Sequence, residues 1–410
     1  MVHKNWAGNL TYSTDTLHEP ESIEQIQEVI RQANTVKVVG SRHSFNNIAD
    51  TSDTLISLKN LDKIELNPDK QTVTIGGGVR YGELATYLHE RGYALHNLAS
   101  LPHISVVGAC ATATHGSGVK NGNLATAISG IEFIVGNGEF MTLSREDEQF
   151  NGVVVNLGAI GIVTGITLDV EPTYDVRQTV FLNLPFAQLS QNFEDIMGSA
   201  YSVSLFTHWQ NETINQAWLK SRTEEDIPAD FYGANAATEN QHPIGGVSPV
   251  NCTQQLGIPG AWHERLPHFR MDFTPSNGEE LQSEYFIART HAVEAIQKLF
   301  EIGDVIAPQL LTSEIRCIAA DELWMSPCCQ QDCVAFHFTW KQEWDAVKEV
   351  LQQMEAALSP FNPIPHSGKL FAMQSQQLQS RYEKLPDFKA LVKTYDPDEK
   401  FRNEFLARYF

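Results

Sequence analysis

From residue 97 to residue 118 the chain runs Asn97-Leu98-Ala99-Ser100-Leu101-Pro102-His103-Ile104-Ser105-Val106-Val107-Gly108-Ala109-Cys110-Ala111-Thr112-Ala113-Thr114-His115-Gly116-Ser117-Gly118, a stretch dominated by small and hydroxyl side chains. Such residues leave backbone N–H groups unshielded, so a pyrophosphate or the edge of a planar ring can lie against the main chain. A close-packed core has little use for so many of them. A second loop of the same character stands upstream. Val36-Lys37-Val38-Val39 breaks into Gly40-Ser41-Arg42-His43-Ser44-Phe45-Asn46. Gly40 is expected to turn the backbone sharply after a strand, and Ser41, Arg42 and Ser44 add donors that can wrap an anion. His43 then stands at the ligand; the alternative is a turn histidine bonded to its neighbours.

Between these loops, Gly76-Gly77-Gly78 ends a strand at Thr72–Ile75 and precedes a helix with Leu84 and Leu88 on one face and Gly92 as terminator. The spacing is not Gly-x-Gly-x-x-Gly, and no acidic residue follows at the expected distance. A nicotinamide-binding Rossmann unit is therefore rejected.

At 410 residues, with 42% hydrophobic and 19% charged content, the chain is long for one core and has the composition of a globular protein of two parts. No apolar run reaches the roughly 20 residues that span a bilayer, and Met1-Val2-His3-Lys4-Asn5-Trp6 lacks a signal-peptide core. No membrane partner and a cytoplasmic location are expected. The formal charge of −21 would repel phosphate backbones and anionic lipids, so nucleic acid is a poor partner, whereas a neutral substrate meets no long-range penalty. Cys328, Cys329 and Cys333 cluster with Cys317 nearby, in a spacing that matches no standard zinc pattern. Reduced, solvent-facing or loop thiols are expected rather than a metal site or a disulfide.

The first part alternates strands and helices. Ile128–Val135 and Phe140–Leu143 flank Gly136-Asn137-Gly138-Glu139, a hairpin signal. The apolar run from Val153 to Val170, ending at Glu171-Pro172, reads as buried strands that close this unit, and Gly161-Ile162-Val163 offers a flat edge for a planar base. Residues 176–368 differ in texture. Strand-like Val203–Trp209, Glu284–Ala288 and Val334–Trp340 mix with amphipathic helices over Thr290–Phe300 and Glu343–Leu358, and a polar loop near 222–265 reads as a cap or insert.

In Leu311-Thr312-Ser313-Glu314-Ile315-Arg316 the charged residues share one strand face, and in Ala335-Phe336-His337-Phe338-Thr339-Trp340 so do His337 and Thr339. Neighbouring strands would combine them into a polar wall; the alternative is two solvated faces with an ordinary salt bridge. Pro363-Ile364-Pro365-His366-Ser367-Gly368-Lys369 delivers a lysine at the end of a stiffened approach, with Gly368 expected to allow an unusual turn.

The glycine-histidine loop resembles the cofactor loop of flavin oxidases related to vanillyl-alcohol oxidase, in particular the alditol (xylitol) oxidases. The His366-Ser367-Gly368-Lys369 element, followed by Tyr395-Asp396-Pro397 through Phe401-Arg402-Asn403-Glu404-Phe405-Leu406, resembles the C-terminal part of alditol oxidases and of aldonolactone oxidoreductases. Matching motifs run in collinear order along nearly the whole chain. The resemblance implies an α+β fold of two domains. A vanillyl-alcohol-oxidase-type (PCMH-type) FAD-binding domain takes residues 1–175 and 369–410, and an α/β substrate cap with an antiparallel sheet takes residues 176–368. It implies FAD joined covalently through His43 and held by Val39, Gly40, Ser41, Arg42, Ser44, Ser100, Ser105, Gly108, Thr112, Ala113, Thr114, His115, Gly116 and His366; the flat Gly161–Val163 edge then puts Ile162 at the adenine. It implies a polyol pocket of Ser100, Glu314, Arg316, Thr339 and Lys369, with Lys369, Arg316, Glu314 and His337 carrying the chemistry.

That chemistry suits the residue types. Oxidising a primary alcohol removes the hydroxyl proton and moves a hydride from the same carbon, so an acceptor must lie beside cations that stabilise alkoxide character. Lysine is protonated at neutral pH, its ordinary pKa being about 10.4. Lys369 is thus first a charge stabiliser, and His337 is an equal candidate for the proton. The expected partners are a polyol and dioxygen, giving hydrogen peroxide, and a monomer is expected. An aldonolactone oxidase or dehydrogenase of the same fold, and a flavin-holding redox partner without alcohol chemistry, are the alternatives.

Overall fold

A computed structural model describes residues 3–225, 230–272 and 279–410, so residues 226–229 of the expected polar loop lie outside the described residues. Strand β1 (Leu17–His18), helix α1 (Ile23–Gln32), β2 (Val36–Val38) and β3 (Thr54–Ile56) open the chain, and the strands pair in parallel in the order β1-β3-β2. Ser22 caps α1 through its side chain, and Ile26 and Ile30 recur four apart to bury one helix face against Val36 and Ile56.

Strands β4 (Ile64–Asn67), β5 (Thr72–Gly76), β6 (Ile128–Ile134), β7 (Phe140–Ser144) and β8 (Ile162–Asp169) form an antiparallel sheet in the order β4-β5-β8-β6-β7, with α2 (Tyr81–His89) following β5. Alternation in β5 buries Val73 and Ile75 with Ile131 and Phe133 of β6, Ile166 of β8, and Leu84 and Leu88 of α2. Neither sheet has a doubly wound Rossmann order. After β5 the chain passes so close to its neighbour that a Cβ on Gly78 would meet the Leu58 carbonyl and lie 2.9 Å from Lys59 Cα. Gly78→Ala is expected to destabilise the fold by about 1–3 kcal/mol, read as a lower denaturation midpoint.

The run from Val153 to Val170 is only partly strand. Phe150–Val154 is a short helix, and the backbone reverses through Leu157 and Gly158 at φ +56° and +68° before β8 begins at Ile162. The Asn156 side chain accepts from Gly158 N–H at 2.8 Å, a local turn that outcompetes strand pairing.

A third, larger sheet is antiparallel. Its main strands are β9 (Asp175–Pro185), β10 (Ser202–Thr207), β11 (Thr213–Arg222), β12 (Glu280–Ala288), β13 (Leu310–Ile318), β14 (Cys333–Lys341) and β15 (Ile364–Pro365), in the order β9-β11-β10-β13-β14-β12-β15. Short segments Asn235–Ala236 and Gly260–Ala261 pair with β9. Helices α3 (Ala292–Glu301) and α4 (Trp344–Leu358) cover one face, where Ile296, Leu299, Val347 and Leu351 pack on Ile315, Phe336, Phe338 and Trp340. The side chains between these apolar positions point to the other face. After this sheet the chain returns: Tyr395, Phe405 and Phe410 enter the core of the five-stranded sheet, and Val36 N–H of β2 donates to Lys400 O at 2.8 Å.

Two local expectations need correction. The thiols are free and Cys328 and Cys329 lie in a loop as expected, but the cluster is not solvent-facing: Cys317, Cys328 and Cys333 are buried and Cys329 is half-buried. Cys328 and Cys333 pack with Phe286, Ile318 and Ala335, as thiols behave when no charged partner draws them out. Gly368 needs no unusual backbone angle, and the left-handed residue before the Lys369 loop is Asn362, at φ +54°. Among the described residues no helix is long and apolar enough to cross a membrane.

Candidate active site

The two small-residue loops and the polar face of the third sheet enclose one cavity of about 620 Å³. It runs from Lys37, Asn156 and Gly158, past the Val39–Ser44 loop and residues 99–115, to Glu314 and Thr339. His43, Val39, Gly40, Ser41, Arg42, Ser44, Ser100, Ser105, Gly108, Thr112, Thr114, His115 and His366 all line it. Three expected contacts do not. Ala113 turns at φ +53° into the apolar core, Gly116 is pressed against Asn97 and the Leu98 carbonyl, and Ile162 is wholly buried on the far side of β8 beside Ile134. Gly161 and Val163, on either side of Ile162, line the cavity instead, as strand alternation requires.

The turn of the histidine loop falls at Arg42, φ +59°, and not at Gly40, whose φ is ordinary. Gly40 serves close approach: a Cβ there would collide with Ser105 Oγ, and one on Gly108 would lie 2.7 Å from the same atom. Ser105 N–H donates to Ser41 Oγ at 3.3 Å, which ties the two loops into one cradle with no room for further side chains. His43 lies with its ring centroid 4.3 Å from Trp6 and 5.8 Å, edge-on, from Phe45. Burial, with the charge of Lys369, pushes its pKa down to about 3, so the ring is neutral and keeps one unprotonated nitrogen.

The loop carrying Lys369 is bound to this cradle. Phe45 N–H donates to Gly368 O at 2.8 Å, and Asn46 Nδ2 donates to Ser367 O and Lys369 O at 2.8 and 2.7 Å. Register then builds the wall: Glu314 of β13 and Glu284 of β12 both pair with His337 of the central β14, and Gln282 and Thr312 both pair with Thr339. Glu314, Arg316, His337, Thr339 and Lys369 are thus brought together.

Sequence reasoning missed the residue at the centre. Glu284 is almost wholly buried; its Oε2 receives Lys369 Nζ at 2.7 Å, and its Oε1 faces Arg316 Nη2 at 3.0 Å and His115 Nε2 at 3.2 Å. Burial alone would raise its pKa, but Lys369, His115 and Arg316 outweigh that and hold it well below the carboxylate range. Its signal was present, since Glu280, Gln282 and Glu284 alternate with Leu281 and Tyr285 as the polar residues of the other two strands do. Glu314 Oε1 meets His268 Nε2 at 2.8 Å and Arg316 Nε at 3.5 Å; against burial, these neighbours hold its carboxyl far below the usual range. Burial pulls Lys369 below the ordinary lysine value, with Glu284 resisting. His337, also depressed by burial and by Lys369, donates from Nε2 to Gln282 Oε1 at 3.1 Å, and Gln282 Nε2 donates to Glu280 Oε1 at 2.6 Å. That chain leaves His337 Nδ1 with a free lone pair. No local signal marked His268, in a loop, or Lys220, a buried lysine of β11.

Known proteins are similar to this chain in sequence and in fold. The chain matches the FAD binding domain family over residues 14–144 and the D-arabinono-1,4-lactone oxidase family over residues 275–409. It is 46% identical to the alditol oxidase of Streptomyces sp. (strain IKD472 / FERM P-14339) over 407 residues, 98% of this chain and 97% of that protein. It is 25% identical to the L-gulono-1,4-lactone dehydrogenase of Mycobacterium tuberculosis, covering 99% of this chain and 98% of the relative. Among solved structures, cholesterol oxidase from B. sterolicum aligns with TM-score 0.80 and 14% identity over 99% of this chain and 96% of that chain, a likeness of fold alone.

Proposed function

For a chain that belongs to the alditol oxidase family of FAD-dependent oxidoreductases, with the vanillyl-alcohol-oxidase-type fold, we propose oxidation of the terminal primary hydroxyl of alditols such as xylitol and sorbitol to the aldose, with dioxygen reduced to hydrogen peroxide. The observation that carries this reading is the wall of two cations and two carboxylates, Lys369, Arg316, Glu284 and Glu314, facing the loops that fit FAD. The glycine cradle around Ser105 is closed to side chains and open to a flat ligand, and the cavity continues to the Lys37 end as an elongated dinucleotide requires. We assign residues 1–175 and 369–410 to holding FAD and residues 176–368 to presenting the substrate wall. His43 is the attachment residue.

When bound, FAD supplies the hydride acceptor and the route of electrons to dioxygen. The chain's own residues do the rest. Glu284 keeps Lys369 as an ammonium, so Lys369 and Arg316 stabilise negative charge on the substrate oxygen and neither is the base. His337 takes the hydroxyl proton at Nδ1, its Nε2–H being committed to Gln282. Glu314, Thr339 and Ser100 pair with the remaining hydroxyls; a simple alcohol would leave these buried groups unsatisfied and is bound poorly.

Turnover is expected to fall on the alkaline side as Lys369 loses its proton, and this loss comes below the ordinary lysine value because burial lowers the folded pKa. A profile of kcat against pH that stays flat beyond the ordinary lysine range contradicts the ammonium role. The match to the D-arabinono-1,4-lactone oxidase family over the cap strands makes a lactone the second substrate class. Initial rates on xylitol and sorbitol against gulono- and galactonolactone separate the two, with polyols expected to give the larger kcat/KM.

A further inference from the structure

Behind Glu314 lies a pair of polar groups that this mechanism does not use. Lys220 of β11 is 1% exposed; its Nζ lies 2.9 Å from His268 Nδ1 and donates to the Leu266 carbonyl. His268 Nε2 in turn lies 2.8 Å from Glu314 Oε1. The His268 ring is fixed in space, since it packs edge-on against Phe206 and Trp218 at 5.5 and 5.2 Å and its backbone N–H donates to Ser100 O at 3.1 Å. Packing of that kind sets the ring plane but not which nitrogen carries the proton.

The hydrogen-bond chain decides that. Burial and Lys220 push the imidazole down to about 4, so it is neutral and has one N–H. Burial brings Lys220 down to about 7 against the attraction of Glu314, with Arg316 lowering it and Cys252 raising it, and in either charge state Nζ has an N–H for His268 Nδ1 beside the one it gives the Leu266 carbonyl. Its partner Nδ1 accepts, and the ring proton sits on Nε2 and points at Glu314. We propose that Lys220 is a positioning residue for polyol binding: it fixes the tautomer of His268, whose Nε2–H occupies Glu314 Oε1 and leaves Oε2 to receive a substrate hydroxyl. Without Lys220 the buried Nδ1 has no donor, the Nε2–H tautomer loses its second support, and Arg316 is left as the firm partner of Glu314. The inference rests on the polyol reading.

The test is steady-state kinetics on xylitol with FAD-loaded wild type, Lys220→Met, His268→Leu and His268→Gln. Loss of a hydrogen bond to a charged group predicts a KM raised about 10- to 100-fold in Lys220→Met and His268→Leu, with kcat within about threefold. Gln can accept from Lys220 through its amide oxygen and donate to Glu314 through its amide nitrogen, so His268→Gln is expected to restore most of the affinity that His268→Leu loses. If Lys220→Met does not fold, the two His268 variants decide. An unmoved KM in Lys220→Met, or a His268→Gln as impaired as His268→Leu, overturns the proposal while the polyol reading stands. A wild type that oxidises no polyol removes that reading and the inference with it.

Discussion

Lys369→Ala and Arg316→Ala are each expected to lower kcat on a polyol by about 10²–10³ while FAD stays bound, the usual effect of losing one preorganised charge at a reacting oxygen. Both cations converge on Glu284, at 2.7 and 3.0 Å, and Arg316 also pairs with Glu314 at 3.5 Å. Each truncation therefore removes a charge from the substrate oxygen and leaves Glu284 underpaired in a buried site, where an uncompensated carboxylate repels developing alkoxide. The FAD cradle is built mainly from other residues, so flavin content is the internal control. Near wild-type kcat in either variant would move the chemistry elsewhere.

The second large effect concerns attachment. In the wild type, acid precipitation and washing are expected to leave a yellow pellet, whereas His43→Ala should release all its FAD into the supernatant. A covalent link through imidazole needs a nitrogen with a free lone pair and a fixed ring. His43 has both: burial keeps it neutral, and Trp6 and Phe45 hold its plane. The variant should still fold and bind FAD reversibly, because Ser105, Gly108 and Thr112 line the same cavity. A colourless wild-type pellet would rule out the bond without touching FAD binding.

Much of this site was legible because it is local. Period-two alternation placed Glu314 with Arg316 and His337 with Thr339 on one face, and the ladder pairing Glu314 with His337 made a single wall of them. Small-residue runs marked the loops that line the cavity. What escaped depends on tertiary approach. Gly40 is required by the nearness of Ser105, which no local pattern encodes, and the turn credited to it belongs to Arg42. Ile162 faces the core because its register in β8 gives the cavity to Gly161 and Val163. Glu284 was hidden by starting its strand too late, while the pairing of Lys220 with His268 joins residues far apart in sequence.

The central claim is that this wall oxidises polyols through bound flavin, and an anaerobic absorption spectrum of the purified holoprotein tests it most directly. On addition of xylitol the flavin colour is expected to bleach, and admitting oxygen should restore it with formation of hydrogen peroxide. A flavin that stays yellow under xylitol and sorbitol, or that only a lactone bleaches, would contradict the account.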